Sequence, residues 1–329
     1  MKLYNSIDEF AASGIKKTIV TTGTFDGVHL GHQSILKRLK ELTIKQQAES
    51  VLLTFSPHPR TVLFPDGEPM HFLSTFAEKE ARLREAGVQH LIIHPFTMDL
   101  AKVSAYNYVR DILVGKLHIK GMVIGHDHRF GRNREGSIKE LKEWSPVLGF
   151  DVEEITPFKV GDVTISSSKI RRAIDAGDMQ TANSFLGYTY GLTAQVVHGL
   201  KLGGKELGYP TANLEVEDKN KIIPGDGIYA VYAQLSEQWP VNSGQPALVT
   251  DNRQLKTYKG MMSIGMNPTV KGKGHSMEVH MFDFDQNIYD KQLSVFFYKK
   301  IRNEEKFTSM EALKKQLDTD KEVSLKLLA

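Results

Sequence analysis

The run Gly23-Thr24-Phe25-Asp26-Gly27-Val28-His29-Leu30-Gly31-His32 constrains the fold more than any other part of the chain. It follows a β-branched segment, Thr18-Ile19-Val20-Thr21-Thr22, and opens an amphipathic one with Ile35, Leu36, Leu39 and Leu42 on one side. Strand, glycine-punctuated turn and helix, in that order, is how α/β proteins build an anion site. Glycines let the backbone approach the anion, and the amides of the first helical turn face it. His29 and His32 stand one helical turn apart beside it. Imidazole donates to phosphate oxygens and changes charge near neutrality. The combination predicts a nucleotide whose phosphate chain is bound and cleaved. The plainer alternatives are a surface histidine beside a helix-capping one, or a metal pair, for which no carboxylate lies at matching spacing.

The first half of the chain repeats this alternation. Strand-like runs at 18–22, 51–55, 91–94, 122–125 and 152–155 alternate with helical patterns at 29–46, 75–86, 104–117 and 137–144. That predicts a Rossmann-like α/β domain: a parallel sheet with helices on both faces and ligands at the carboxyl ends of the strands. After Gly187 the pattern changes. Runs at 193–197, 227–235, 255–264, 277–284 and 293–301 read as strands, separated by Gly- and Pro-rich turns without helices. This predicts an antiparallel β-barrel or sandwich, closed by one amphipathic helix over about 309–328. Two domains are expected, 1–185 and 186–329, with the polar stretch 237–253 as a surface insertion.

Composition removes several kinds of chemistry. The 329 residues include no cysteine, so disulfides, Cys-zinc sites and thiol nucleophiles are excluded. Forty-two Lys and Arg against 39 Asp and Glu, a net charge of +3, is too balanced to argue for nucleic acid. No stretch approaches the ~18 apolar residues of a membrane span. The segment MKLYNSIDEF has no apolar core of signal-peptide type. A cytoplasmic protein with neither nucleic acid nor membrane as partner is expected.

Three further N-terminal constellations bear on chemistry. In Ile165-Ser166-Ser167-Ser168-Lys169-Ile170-Arg171, hydroxyls precede a helix and either simply cap it or, with the added Lys and Arg, make its start an anion site. In Thr54-Phe55-Ser56-Pro57-His58-Pro59-Arg60, two prolines stiffen a loop after a strand. Such a loop either flanks a planar ring or merely connects. Gly125-His126-Asp127-His128-Arg129-Phe130-Gly131 is a polar strand end. There Asp127 suits a ribose or magnesium and Phe130 a stacked ring, or the segment is simply a turn.

Together these motifs resemble the FAD synthetase (FMN adenylyltransferase) domain of bacterial bifunctional flavin enzymes, over about residues 1–185. The FDGVHLGH run corresponds to the HxGH-like signature of nucleotidylyltransferases and ISSSKIR to the KMSKS-like one. The resemblance implies attack of an FMN phosphate oxygen on the α-phosphorus of ATP, with release of pyrophosphate. It implies that His29 and His32 stabilise the triphosphate in the transition state. Gly23, Thr24, Phe25, Asp26, Gly31, Asp127, Ser167, Ser168 and Arg171 would bind ATP, and Pro57, His58, Pro59 and Phe130 the flavin. His128 stands where the family leads one to expect an aromatic such as Phe.

The second half carries His198-Gly199-Leu200-Lys201-Leu202-Gly203-Gly204-Lys205-Glu206-Leu207-Gly208-Tyr209-Pro210-Thr211-Ala212-Asn213-Leu214. Glycines and lysines suit phosphate, although the GxxxxGK[ST] spacing of a P-loop is absent. Thr211 and Asn213 fall on one face of a strand, where neutral oxygens suit Mg²⁺ held together with ATP phosphates; a hairpin loop is the plainer reading. In Met277-Glu278-Val279-His280-Met281-Phe282-Asp283-Phe284, alternation puts Glu278, His280, Phe282 and Phe284 on one face and Met277, Val279 and Met281 on the other. Glu278 is either a solvated charge or a base for a substrate hydroxyl.

These segments resemble riboflavin kinase over about 187–320. The turn Pro224-Gly225-Asp226-Gly227-Ile228-Tyr229, Ile264-Gly265-Met266-Asn267-Pro268-Thr269 and Ile301-Arg302-Asn303-Glu304-Glu305-Lys306-Phe307 match as well. The resemblance implies a small antiparallel barrel and ATP-dependent phosphorylation of riboflavin to FMN. Gly203, Gly204, Lys205, Pro210, Thr211 and Asn213 would bind ATP, with Mg²⁺ on Thr211 and Asn213. Glu278 would be the general base, and Arg302 would lie in a flap near the flavin. Tyr209, Ser263 and Asp290 depart from the expected Phe, Asn and Gly. Riboflavin, FMN and ATP are the implied small-molecule partners. Two rivals remain: a flavin- or nucleotide-binding sensor without turnover, and a kinase whose first domain serves another phosphate acceptor such as pantetheine phosphate.

Overall fold

The computed structural model describes residues 1–198, 207–235, 256–266 and 275–329. The chain divides into two compact units, Met1–Met70 with Phe76–Ser166, and His71–Thr75 with Ser167–Ala329. The expected Lys/Gly loop at Gly203, Gly204 and Lys205, the Asn267-Pro268-Thr269 end of its motif and the insertion at 237–253 lie outside the described residues.

The first unit is built on six parallel strands: β1 (Lys2–Tyr4), β2 (Thr18–Thr22), β3 (Glu49–Ser56), β4 (His90–Pro95), β5 (Ile119–Gly125) and β6 (Asp151–Ile155). Their order is β1-β4-β3-β2-β5-β6. The chain therefore steps outward from β2 through β3 and β4, then returns to place β5 on the other side of β2. Such a reversal opens a crevice at the carboxyl ends of the strands. The helices are α1 (Ile7–Ala11), α2 (Leu30–Gln46), α3 (Pro59–Leu63), α4 (Phe76–Glu85), α5 (Met98–Ala101), α6 (Ala105–Asn107) and α7 (Ile138–Leu148).

Side-chain alternation along the strands splits the core into two layers. Val20, Val51, Leu53, Ile92, Met122 and Ile124 face α1, α7 and Leu113. Ile19, Leu52, Leu91 and Val123 face Leu36 and Leu39 of α2 and Leu83 of α4. The apolar stripe on α2 thus has the partner its spacing predicts. The helix expected over 104–117 is broken. After α6 the backbone widens to π-helical hydrogen bonding over Tyr108–Val114, with the Gly115 N–H reaching the Arg110 carbonyl at 3.0 Å. A small hairpin, β7 (Lys159–Val160) and β8 (Val163–Thr164), closes this unit. It and the short β1 and α1 carry too few residues for periodicity to reveal them.

In the second unit, α8 (Ser167–Asp175) and α9 (Met179–Leu186) precede a closed barrel. Its antiparallel strands are β9 (Gly191–Val197), β10 (Ala212–Glu215), β11 (Gly227–Leu235), β12 (Thr257–Met266), β13 (His275–Met281) and β14 (Gln292–Arg302), in the order β10-β13-β12-β11-β14-β9. Tyr229, Val231, Met262, Val279, Val295 and Phe297 fill it, each at most 1% exposed. Met277, Val279 and Met281 are buried as alternation requires. His280 and Phe282 on the other face are buried too, against Tyr209, Met261 and Leu317 of the terminal helix α10 (Met310–Leu327). The strand expected over 277–284 stops at Met281, where Asp283 turns left-handed with φ 55°.

One departure and one matching turn acquire physical meaning. Asp290, where glycine is expected, has φ 61°, a conformation that glycine adopts without Cβ strain. At Gly225 the N–H bonds the Ile174 carbonyl at 3.1 Å, and a Cβ there would overlap the Asp175 carbonyl. The Pro224–Tyr229 turn therefore needs glycine to lie against the end of α8.

Candidate active sites

The first site grows from the exit of β2. Phe25 (φ 48°), Gly27 (φ 76°) and Val28 (φ 37°) all adopt left-handed backbone. For Phe25 and Val28 this costs on the order of 1–3 kcal/mol each, and it persists only where the surroundings hold it. The turn delivers His29 to the N-cap of α2, where Nδ1 accepts the His32 N–H at 3.3 Å. That bond leaves Nε2 to carry the proton of a neutral His29 ring. The His29 and His32 rings stack at 3.7 Å and 13°, and Phe25 lies 4.7 Å beyond His32. A Cβ on Gly31 would come within 3.2 Å of the His29 ring, so glycine there admits the stack.

Burial first, then the charges of His29 and Lys79, hold the His32 pKa well below the ordinary imidazole value. His32 is therefore neutral at neutral pH, and its Nδ1 is buried without a hydrogen-bond partner. A polyanion beside the ring would reverse that shift. Asp26 is buried, and Lys79 of α4 reaches the Thr24 carbonyl at 3.4 Å.

The neighbouring strands bring the other loops to the same edge of the sheet. β3 ends at Ser56, after which His58 caps α3, its Nδ1 accepting from the Arg60 N–H at 3.1 Å; Pro57 and Pro59 flank it. β5 ends at Gly125, beyond which Asp127 is exposed and the His128 Nε2 pairs with Thr22 Oγ1 at 3.1 Å. Burial pushes the His128 pKa down to about 4. The ring is thus a neutral aromatic stacked on Phe130, 5.8 Å and 24° away. Phe130 itself is only 8% exposed and packs in the core with Tyr108. The loops bearing Gly23–His32, Pro57–Pro59 and Asp127–Phe130 are therefore neighbours by strand order. Ser167, Ser168, Lys169 and Arg171 lie within the first five residues of α8 and belong to the other compact unit.

The second site lies on the outer face of the barrel. Asn213, Glu278 and Ser263 are register partners across β10, β13 and β12, and Ile228 and Arg302 continue that row onto β11 and β14. Thr211 Oγ1 donates to Glu278 Oε2 at 3.0 Å. Pro210 offers its carbonyl to His280 Nδ1 at 2.7 Å. Ser263 Oγ lies 3.4 Å from Glu304 Oε1. A carboxylate beside a threonine and an asparagine is a set of hard oxygens facing one surface.

The terminal helix braces this row, which the sequence did not reveal. Arg302 grips Asp320 with Nε at 3.0 Å and Nη2 at 2.8 Å, and Gln316 adds a bond of 2.9 Å to the same carboxylate. Tyr209, where Phe is expected, spends its hydroxyl on Asp318 at 2.5 Å. On a helix read only for its apolar stripe, these acids look like solvated charge. Asp320 is 1% exposed, so Asp320→Ala strands the Arg302 charge and is expected to cost about 3–5 kcal/mol. Denaturant titration checks this; an unchanged midpoint would show that the pair adds nothing.

The FAD synthetase family model matches residues 12–169 and the riboflavin kinase family model residues 186–328. A bifunctional riboflavin kinase/FMN adenylyltransferase from Escherichia coli (strain K12) is 33% identical over 320 residues, 97% of this chain and 96% of its own. The Haemophilus influenzae protein of the same name is 35% identical over 305 residues, 93% and 92% of the two chains. A crystal structure of a Streptococcus pneumoniae protein described as a macrolide-efflux protein shares the fold, with a TM-score of 0.82, 29% identity and 98% of both chains covered. Among the described residues of this chain, no helix is long and apolar enough to cross a membrane. With both domain models present in order and such relatives aligned along nearly its whole length, the chain belongs to the bifunctional riboflavin kinase/FMN adenylyltransferase family.

Proposed function

We propose that this enzyme of flavin biosynthesis divides its two reactions between its domains, FMN being made by residues 186–329 and FAD by residues 1–185. What supports the reading is that each of these two stretches of chain holds its own polar cluster: the stacked His29–His32 pair at the start of α2, and Glu278 bonded to Thr211 on the barrel.

In the kinase, Glu278 removes the proton of the terminal ribityl hydroxyl of riboflavin as that oxygen attacks the γ-phosphorus of ATP, whose bond to the β–γ bridging oxygen breaks to release ADP. Pro210, Thr211 and Asn213 hold the nucleotide, together with Gly203, Gly204 and Lys205. Arg302 borders the flavin. The neutral oxygens of Thr211 and Asn213, next to one carboxylate, fit Mg²⁺, which takes few protein ligands and shares the rest with phosphates. When bound, Mg²⁺ supplies charge neutralisation along the triphosphate. Thr211 also orients the carboxylate of Glu278 through the bond it donates.

In the adenylyltransferase, nucleophile and leaving group are both anionic, so the protein aligns and neutralises more than it moves protons. His29 and His32 donate to the α-phosphate region. The backbone of Gly23, Thr24, Phe25, Asp26 and Gly31 shapes the approach of the nucleotide, and Asp127 takes its ribose. Ser167, Ser168 and Arg171 hold the departing β- and γ-phosphates. Pro57, His58 and Pro59 flank the flavin, and Phe130 backs it through the ring of His128. ATP as co-substrate supports a cytoplasmic location.

One tube of protein, riboflavin, ATP and Mg²⁺, sampled over time by chromatography, tests the whole reading. FMN is expected first and FAD after it. Binding without turnover would favour a sensor. FMN without FAD, with pantetheine phosphate accepted instead, would reassign the first domain.

A further inference from the structure

The mechanism leaves the partly buried cation of Lys79 unused. Lys79 projects from α4 onto the turn that precedes α2, with Nζ 3.4 Å from the Thr24 carbonyl. The ring of Phe76 lies 5.9 Å from the same ammonium. Burial lowers the Lys79 pKa, and Asp26 opposes that shift. Holding an ammonium out of water is unfavourable, and an apolar side chain would cover this face of the turn more cheaply. What the ammonium provides, on the two sides of Phe25, is a hydrogen bond to the carbonyl of Thr24 before it and an electrostatic attraction to the carboxylate of Asp26 after it. Phe25 and Val28 are the non-glycine residues held left-handed there, and His29 leaves directly from that turn.

We propose that Lys79 is a positioning residue for adenylyl transfer: by holding the Thr24 carbonyl and attracting Asp26 it fixes the turn from which His29 and His32 emerge. The proposal rests on the role assigned above to those two histidines. It differs from a phosphate-binding lysine in its kinetic signature, because misplacing the histidines lowers turnover while leaving ATP capture in place.

The test uses the full-length protein and both of its reactions. Lys79→Met is expected to lower kcat for FAD formation from supplied FMN by about 10²-fold, the cost of a misplacement near 1 Å. The KM for ATP should stay within about twofold. FMN formation from riboflavin should be unchanged. Lys79→Arg, which keeps the charge and a donor, should recover most of the loss. The acid limb of the pH–rate profile supplies a second readout. The charges that bear on His32 are His29 at its own helix cap and Lys79 from α4, with Asp26 facing Lys79. Lys79 lowers the His32 pKa, so removing its charge should move that limb to higher pH, whereas Lys79→Arg, which keeps the charge, should leave it in place. Wild-type kcat in Lys79→Met overturns the proposal. So does a rise in the KM for ATP at unchanged kcat, or a loss that Lys79→Arg fails to repair while the limb stays put. Absence of FAD formation in the wild-type protein would instead sink the underlying assignment.

Discussion

Glu278→Gln is expected to lower FMN formation by about 10²–10⁴-fold, the usual worth of a positioned general base. Glutamine keeps the shape of the side chain, and its amide oxygen can still accept the Thr211 hydroxyl now bonded to Oε2 at 3.0 Å. The barrel and the bond from Thr211 therefore survive, while the negative charge and the basicity go. FAD formation from supplied FMN should continue at the wild-type rate. Initial rates of both reactions on one preparation separate the outcomes. If FMN production stays at the wild-type rate, Glu278 is not the base. If both rates fall together, the substitution acts through structure.

His32→Ala is expected to lower FAD formation by about 10²–10³-fold, comparable to removing one preorganised donor from a developing anion. The ring it removes is stacked on His29 at 3.7 Å and touches Phe25, so the loss includes the support of its partner. Flavin affinity should change little. Fluorescence titration with FMN alongside turnover checks the separation, and equal loss of binding and rate would count against a role on the triphosphate.

The strand–turn–helix at 18–46 was legible because three local signals agree there: β-branching, glycine punctuation and apolar spacing. The parallel sheet and the antiparallel strands were legible for the same reason, while barrel and sandwich stayed equally open until the resemblance to riboflavin kinase implied a barrel. Most observed strand bounds fall within a few residues of the expected ones, and Thr18–Thr22 and Gly227–Leu235 coincide with them. The π-helical stretch at Tyr108–Val114 was not legible, since its composition is that of an ordinary helix. Lys79 was hidden in the same way: on a sequence it is one more lysine on an amphipathic helix, and only the packing of α4 against the turn shows where its ammonium goes. Asp318 and Asp320 escaped because their partners, Tyr209 and Arg302, lie far away along the chain. His128 shows the reverse. It departs from the expected aromatic in name, yet burial keeps its ring uncharged and stacked, so the substitution preserves the physics of the position.

The docking of α10 has a genetic corollary. Its Asp320 anchors Arg302, its Asp318 anchors Tyr209, and its Leu317 shields the apolar patch around Phe282. A nonsense codon upstream of this helix deletes all three supports at once while leaving the coding region of the parallel-sheet domain intact. Such an allele should split the two activities: its extract would adenylylate added FMN yet fail to use the vitamin itself.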